Sequence, residues 1–431
     1  TAGKPVVINA DGTVQFAGQA TVSTTVGSAT TFDTNAITGT DITFDSSNNK
    51  VVVSFKSGRT GDYGVARVGT VDASNNTISF GTETVFESAY TSYTSIDFDS
   101  TNNKVLIVYR DTGNSNYGTA IVGTVSGTDI SFGSPTVFES AQTDYITTRF
   151  DPDNSKFLIV YRDNGNSQYG TAIVATISGT SVSFGSATTF NSIGSSYNSC
   201  IYDTNANKFL VTYRDISSGF GVDSGYARVA TISGTSVSFG SATAFHPVNG
   251  SGANYVNGTE QRYGMSFDST ANKVVIVYTV YISSSIGYVV VGTISGTSVS
   301  FGTAVALGSA LENERNEVAY DSNTNKHLLM NSDLTGSDTD GSDITNVREV
   351  TISGTTPTVG SKVLVSDLRE STNNALVFDS NAKKIVMAYA FGGNSNYGTA
   401  NVVQTSGTVN SLTSENFIGF AKDNVADGAV A

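Results

Sequence analysis

One short pattern returns seven times along the 431 residues, and it constrains the fold more than any other feature. An aromatic residue followed by Asp stands at Phe44-Asp45, Phe98-Asp99, Phe150-Asp151, Tyr202-Asp203, Phe267-Asp268, Tyr320-Asp321 and Phe378-Asp379. Each Asp is followed five residues later by Lys, at Lys50, Lys104, Lys156, Lys208, Lys273, Lys326 and Lys384. Residues typical of tight hairpin turns, Ser, Asn, Thr and Pro, recur between them. Successive Asp residues lie 52 to 65 positions apart.

Each repeat reads as four strands, named A to D in chain order. Strand A ends at the aromatic-Asp pair. Strand B follows the Lys and is apolar on both parities, as in Val105-Leu106-Ile107-Val108-Tyr109, which predicts burial on both faces. Strand C is of the type Thr119-Ala120-Ile121-Val122-Gly123-Thr124-Val125. A Ser-Gly-Thr turn, at Ser126, Ser178, Ser233, Ser295, Ser353 and Ser406, leads to a strand D such as Ser181-Val182-Ser183-Phe184-Gly185. Four strands in about 50 residues predict an all-β fold, a single seven-bladed β-propeller. The seventh repeat lacks a strand D, and an orphan copy stands at Thr24–Phe32, so the N-terminal strand is expected to complete the last blade beside Thr399–Val403. The expected organisation is a connector or hairpin over residues 1–20, the propeller over 21–410, and a connector into a further domain over 411–431. A chain that starts at Thr1 is read as a processed product or a fragment.

Composition agrees: 44 Gly and only 5 Pro suit many strands and tight turns. A net charge of −14 with 23 Lys+Arg repels a phosphate backbone, so nucleic acid is excluded as a partner. No apolar run reaches membrane-spanning length, which argues against membrane insertion. The single cysteine, Cys200, forms no internal disulfide and reads as a buried thiol.

The unit Phe-Asp-Ser-x-x-x-Lys, Tyr-Arg-Asp-x-Gly-Asn-Ser-x-Tyr-Gly-Thr-Ala, Ser-Gly-Thr-x-x-Ser-Phe-Gly stands most fully at 98–133 and 150–185. It is similar to repeats in virion structural and tail-fibre proteins of marine bacteriophages. The resemblance implies a non-enzymatic module on an extracellular or virion surface. Its expected partners are other virion or filament subunits and host-surface glycans. A bacterial extracellular adhesin or filament subunit is the alternative, and a propeller glycosidase a third reading.

The B–C loop carries the most distinctive polar residues: Arg110, Asp111 and Tyr117, then Arg162, Asp163 and Tyr169, with Arg214, Asp215 and Tyr397 as partial copies. By strand topology the B–C and D–A loops share one face. Tyrosine faces beside Arg and Asp suit sugar hydroxyls, so these nine residues are the candidate ligand contacts. Bracing between blades also accounts for the repetition and is the stronger reading. In the sixth repeat, Asp338, Asp340 and Asp343 surround Gly341 at a spacing that calcium loops use, without the later bidentate Glu. A solvated acidic loop accounts for them as well, and no other cofactor is expected. The two histidines, His246 and His327, stand in unrelated contexts, and Trp is absent, so neither a zinc cluster, a Ser-His-Asp triad nor a sialidase-type box is expected.

Overall fold

The computed structural model describes residues 6–8, 14–16, 19–59, 61–216, 224–246, 255–257, 262–281, 285–308, 312–333, 344–366 and 371–410. Its regular structure is almost entirely antiparallel strand. In the second repeat, strand B is Lys104–Asp111 and pairs on one side with the end of Thr84–Asp99 and on the other with strand C, Tyr117–Ser126. Strand C pairs in turn with Asp129–Phe132 and with the start of Thr136–Asp151, which together form strand D. The pattern recurs in the third repeat with Lys156–Asp163 and Tyr169–Ser178. Strand B is buried throughout because sheets pack on both of its faces: Val105, Leu106, Ile107, Val108 and Tyr109 expose no measurable area.

One expectation is corrected here. Strands D and A are not joined by a loop in the first four repeats. Thr30–Asp45, Thr84–Asp99, Thr136–Asp151 and Thr188–Asp203 are single strands of 16 residues that begin in one sheet and end in the next. Each passes through a β-bulge, where the pairing skips from Arg110/Ser92 to Val108/Ser95 in the second repeat. The first bulge residue is left-handed: Gly39 at φ 62°, Tyr93 at 54°, Tyr145 at 51° and Tyr197 at 52°. Glycine suits that position; tyrosine does not. The bulge turns the strand between sheets, so no loop is needed.

The aromatic-Asp repeat is a turn device. Asp99 Oδ1 accepts from the amides of Thr101 and Asn102, both at 2.9 Å, and its Oδ2 accepts from Asn102 Nδ2 at 2.8 Å. Asp45, Asp151, Asp203, Asp268, Asp321 and Asp379 accept the same two backbone bonds. The fifth turn residue is left-handed and is Asn in five repeats, Ser155 and Lys383 in the other two.

The N-terminal segment meets the seventh repeat. Val26 lies opposite Val403, Thr30 opposite Ala400, and Gly27 N donates to Val402 O at 2.8 Å. Gln19–Val22 pairs with Gly407–Asn410. Glycines that end strand D sit against the next repeat's C–D turn, Gly133 on Thr180 and Gly185 on Thr235, where a Cβ would strike the Thr carbonyl. Gly27 sits in the same way on Asn76 of the first repeat. Outside the repeats, Val6–Ile8 pairs with Val14–Phe16. The expected connector at 411–431 lies outside the described residues.

Candidate functional site

Strands A and B bring two sets of side chains together across the repeats. The first is at the bulge, on the B–C loop side. Arg110 stacks on Tyr93 at 4.8 Å, Arg162 on Tyr145 at 4.8 Å and Arg214 on Tyr197 at 5.0 Å. The tyrosines touch one another, with centroids 5.2 Å apart for Tyr93–Tyr145 and 5.3 Å for Tyr145–Tyr197. Arg110 and Arg162 share one buried carboxylate, Asp144, which Asn164 Nδ2 also reaches at 2.7 Å. Burial works against that charge, but Asn164 and the two guanidiniums hold Asp144 below its ordinary value.

The structure therefore gathers Arg110, Arg162 and Arg214 into one arc and separates their sequence neighbours. Asp111 and Asp163 turn away to cap short 3-10 turns, accepting from Asn114 N at 3.0 Å and Asn166 N at 3.1 Å. Asp215 lines a separate cavity of about 490 Å³ with Tyr213, Tyr226 and Arg228. Tyr117, Tyr169 and Tyr397 begin strand C half-buried, and Arg110, Arg162 and Arg214 stack on other tyrosines. The seventh repeat has Ala390 and Phe391 where Arg110 and Asp111 stand, so its 3-10 turn has no side-chain cap. The tyrosines that matter, Tyr93, Tyr145 and Tyr197, each precede the Asp of the aromatic-Asp pair by six residues. That fixed spacing was the available signal. Asp338, Asp340 and Asp343 lie outside the described residues.

Polar atoms without a protein partner concentrate at this level: Thr40 Oγ1, Ser92 Oγ, Thr94 Oγ1, Arg110 Nε, Arg162 Nε, Ser195 Oγ, Ser196 Oγ and both amide atoms of Asn198. Buried groups of this kind are ordinarily satisfied, so such a concentration has to be explained.

The second set lies deeper and is ionic. Asp41 of the first repeat meets Arg262 of the fifth at 2.9 Å and Arg149 of the third at 3.6 Å, and Arg262 reaches Glu317 of the sixth at 3.2 Å. Burial opposes ionisation of Asp41, but Arg262 and Arg149 hold it below its ordinary value, helped by Ser95 Oγ at 2.8 Å. Burial raises Asp97 and Glu317 instead. Below them is a cavity of about 340 Å³ with lining from all seven repeats, including Thr43, Asp97, Arg149, Ile201, Ser266, Ala319 and Val377. Cys200 is buried beside this region, and burial pushes its thiol up to about 12.

Carboxylates between neighbouring repeats carry a pH consequence. Burial, with Asp111 adding to it, raises Glu87, which accepts from Tyr109 Oη at 3.2 Å. A raised carboxyl contributes stability below its unfolded value and loses it as pH rises through the folded one. Glu87→Gln should therefore raise the melting temperature relative to the parent at pH 8. The difference should vanish near pH 4, as thermal melts at both values will show.

No protein-family profile and no curated protein sequence matches the chain. Solved structures do resemble it. A Lactobacillus plantarum protein aligns over 76% of this chain and 85% of its own at 12% identity, with a TM-score of 0.51. The Pseudomonas aeruginosa periplasmic gluconolactonase (12% identity, 75% and 84% covered) and a Penicillium chrysogenum α-L-arabinanase (10%, 73% and 93%) each score 0.49. At these identities the likeness concerns fold alone. The expectation of a virion-surface or tail-fibre module with glycan-binding duty, and its adhesin or filament alternative, is corrected by this comparison: what the likeness supports is a propeller fold, which specifies no virion role. What the strands and the structural likeness establish together is an all-β chain of β-propeller architecture.

Proposed function

We propose that the chain is a seven-bladed propeller of four-stranded blades, completed by its N-terminal strand, and that it works as a rigid binding module. Its ligand site is the arc of repeats one to four on the B–C loop side, and the ligand is a small anion. The lining of one cavity by all seven repeats, and the seating of Gly27 on Asn76, support the ring.

The observation that carries the binding reading is the row of left-handed tyrosines under arginines, set among unpartnered polar atoms. A bulky residue in that backbone region costs about 1–3 kcal/mol, and such strain gathers at functional sites. Gly39 holds the same position in the first repeat at φ 62°, so the bulge itself does not need tyrosine. Arg110 and Arg162 share a single carboxylate and keep unpartnered Nε donors, which suits an oxyanion. The net charge of −14 disfavours an extended polyanion and leaves a small one.

Isothermal titration with citrate and inorganic phosphate, against a neutral polyol, tests this. The anions should bind and the polyol should not. The double variant Arg110→Lys, Arg162→Lys keeps the charge beside Asp144 but loses the planar fork, and it should bind about tenfold more weakly. Binding that ignores the double variant, or no anion binding at all, would remove the assignment.

A further inference from the structure

The seven repeats provide an internal comparison at every position. The residue after the turn lysine is Val51, Val105, Phe157, Phe209, Val274 and Ile385 in six repeats, all of them buried, and His327 in the sixth. Packing at this position is satisfied by an apolar side chain. A buried imidazole there costs desolvation and has to be explained by its partners.

Those partners come from the fifth repeat. Ser266 Oγ lies 2.7 Å from His327 Nδ1, and Asp268 Oδ2 lies 3.6 Å from Nε2, close enough to act electrostatically but too far for a hydrogen bond. The carboxylate favours the tautomer with hydrogen on Nε2, which leaves Nδ1 to accept from the serine hydroxyl. Asp268 is fixed because its other oxygen caps the turn, accepting from Thr270 N at 2.9 Å and Ala271 N at 2.7 Å. Tyr320 packs on the imidazole with ring centroids 4.9 Å apart. Ser266 also lines the 340 Å³ cavity, which extends to the exposed Ser322. The rest of the lining mixes apolar side chains, Ile201, Val318, Leu376 and Val377, with Thr43, Asp97 and Arg149.

We infer that Ser266 is the nucleophile of a Ser266–His327–Asp268 acyl-transfer site that takes small carboxylic esters from this cavity. Ser266 Oγ bonds to the ester carbonyl carbon while its proton passes to His327 Nδ1. The carbon–oxygen bond to the alcohol breaks, and the alcohol departs with that proton. Water then repeats the sequence on the acyl-serine and releases the carboxylic acid, with no change of oxidation state. Asp268 is a positioning residue: it holds the tautomer and compensates the imidazolium. The cavity volume and its apolar side chains suit a short acyl or aryl group. Burial lowers the histidine's pKa, so it is neutral and able to accept a proton at pH 7. This site shares no residue with the anion arc and does not depend on it.

The test uses the full chain with a fluorophosphonate probe, read by intact mass and peptide mapping, and with p-nitrophenyl butyrate. One label per chain should appear, on Ser266. Ser266→Ala should abolish labelling, and His327→Val, which installs the residue of other repeats, should slow it by about a hundredfold or more. The labelling rate should be flat above neutral pH and fall in acid as His327 protonates. No label on the folded parent, a label that persists in Ser266→Ala, or a rate that climbs with hydroxide without a plateau would each overturn the inference.

Discussion

Deleting residues 1–33 should leave a chain that aggregates or melts far below the parent. The deletion removes the strand opposite Ala400 and Val403 and exposes the edge of strand C in the seventh repeat. A single substitution gives the effect a magnitude. Phe32 is 2% exposed, and its ring lies 5.2 Å from both Phe55 and Phe80 of the first repeat. It thus ties the N-terminal strand to the neighbouring sheet. Phe32→Ala should cost about 3–5 kcal/mol by denaturant titration, the usual loss for a large buried ring. A loss near zero would mean that the strand is not part of the core.

Removing Arg149 should be comparably severe. Its guanidinium lies 3.6 Å from Asp41, and burial opposes its charge while Asp41 and Asp97 sustain it. Arg149→Leu removes the guanidinium that offsets burial at Asp97 and leaves Asp41 with Arg262 alone, and breaking such a buried pair costs about 3–5 kcal/mol. The loss should shrink when Asp97→Ile is added, because Ile201 and Val377 occupy the equivalent position in the fourth and seventh repeats. Denaturant midpoints of the two single variants and the double measure that coupling. Additive losses would show that Arg149 and Asp97 do not act as a unit.

The repeat was legible because it is local. Asp99, its turn and Lys104 lie within six residues, so side-chain chemistry and spacing alone identify the cap. The pairing of Thr30 with Ala400 was likewise visible, since a missing strand and an orphan copy can be matched by sequence. The D–A junction was not, because a β-bulge is a backbone event, and Tyr93 carries no sign of φ 54° in its identity. The ionic cluster was hidden for a different reason. Asp41, Arg149 and Arg262 come from three repeats and hold a different residue type in each, so no periodic pattern marks them. His327 is visible in the sequence, but its neighbours there do not show that Ser266, 61 positions away, lies against its Nδ1. Arg110 is conspicuous there, but its partners are Tyr93 and Asp144 rather than its neighbour Asp111.

Ring closure by the N-terminal strand is the claim on which the rest depends, and one cross-link tests it. Gly27 and Val402 form a hydrogen-bonded pair, which makes Val26 and Val403 the adjacent non-hydrogen-bonded pair, the closer kind across an antiparallel ladder. Val26→Cys with Val403→Cys should therefore oxidise to a disulfide in the folded protein, within the Cα separation that such a bond requires. Because the bond closes a loop of hundreds of residues, it should stabilise by on the order of 5 kcal/mol. Mass spectrometry of the unreduced double variant would show the 26–403 cross-link, and thermal melts would show a raised melting temperature. Three free thiols, those at positions 26 and 403 together with Cys200, in a fully folded protein would contradict the closure.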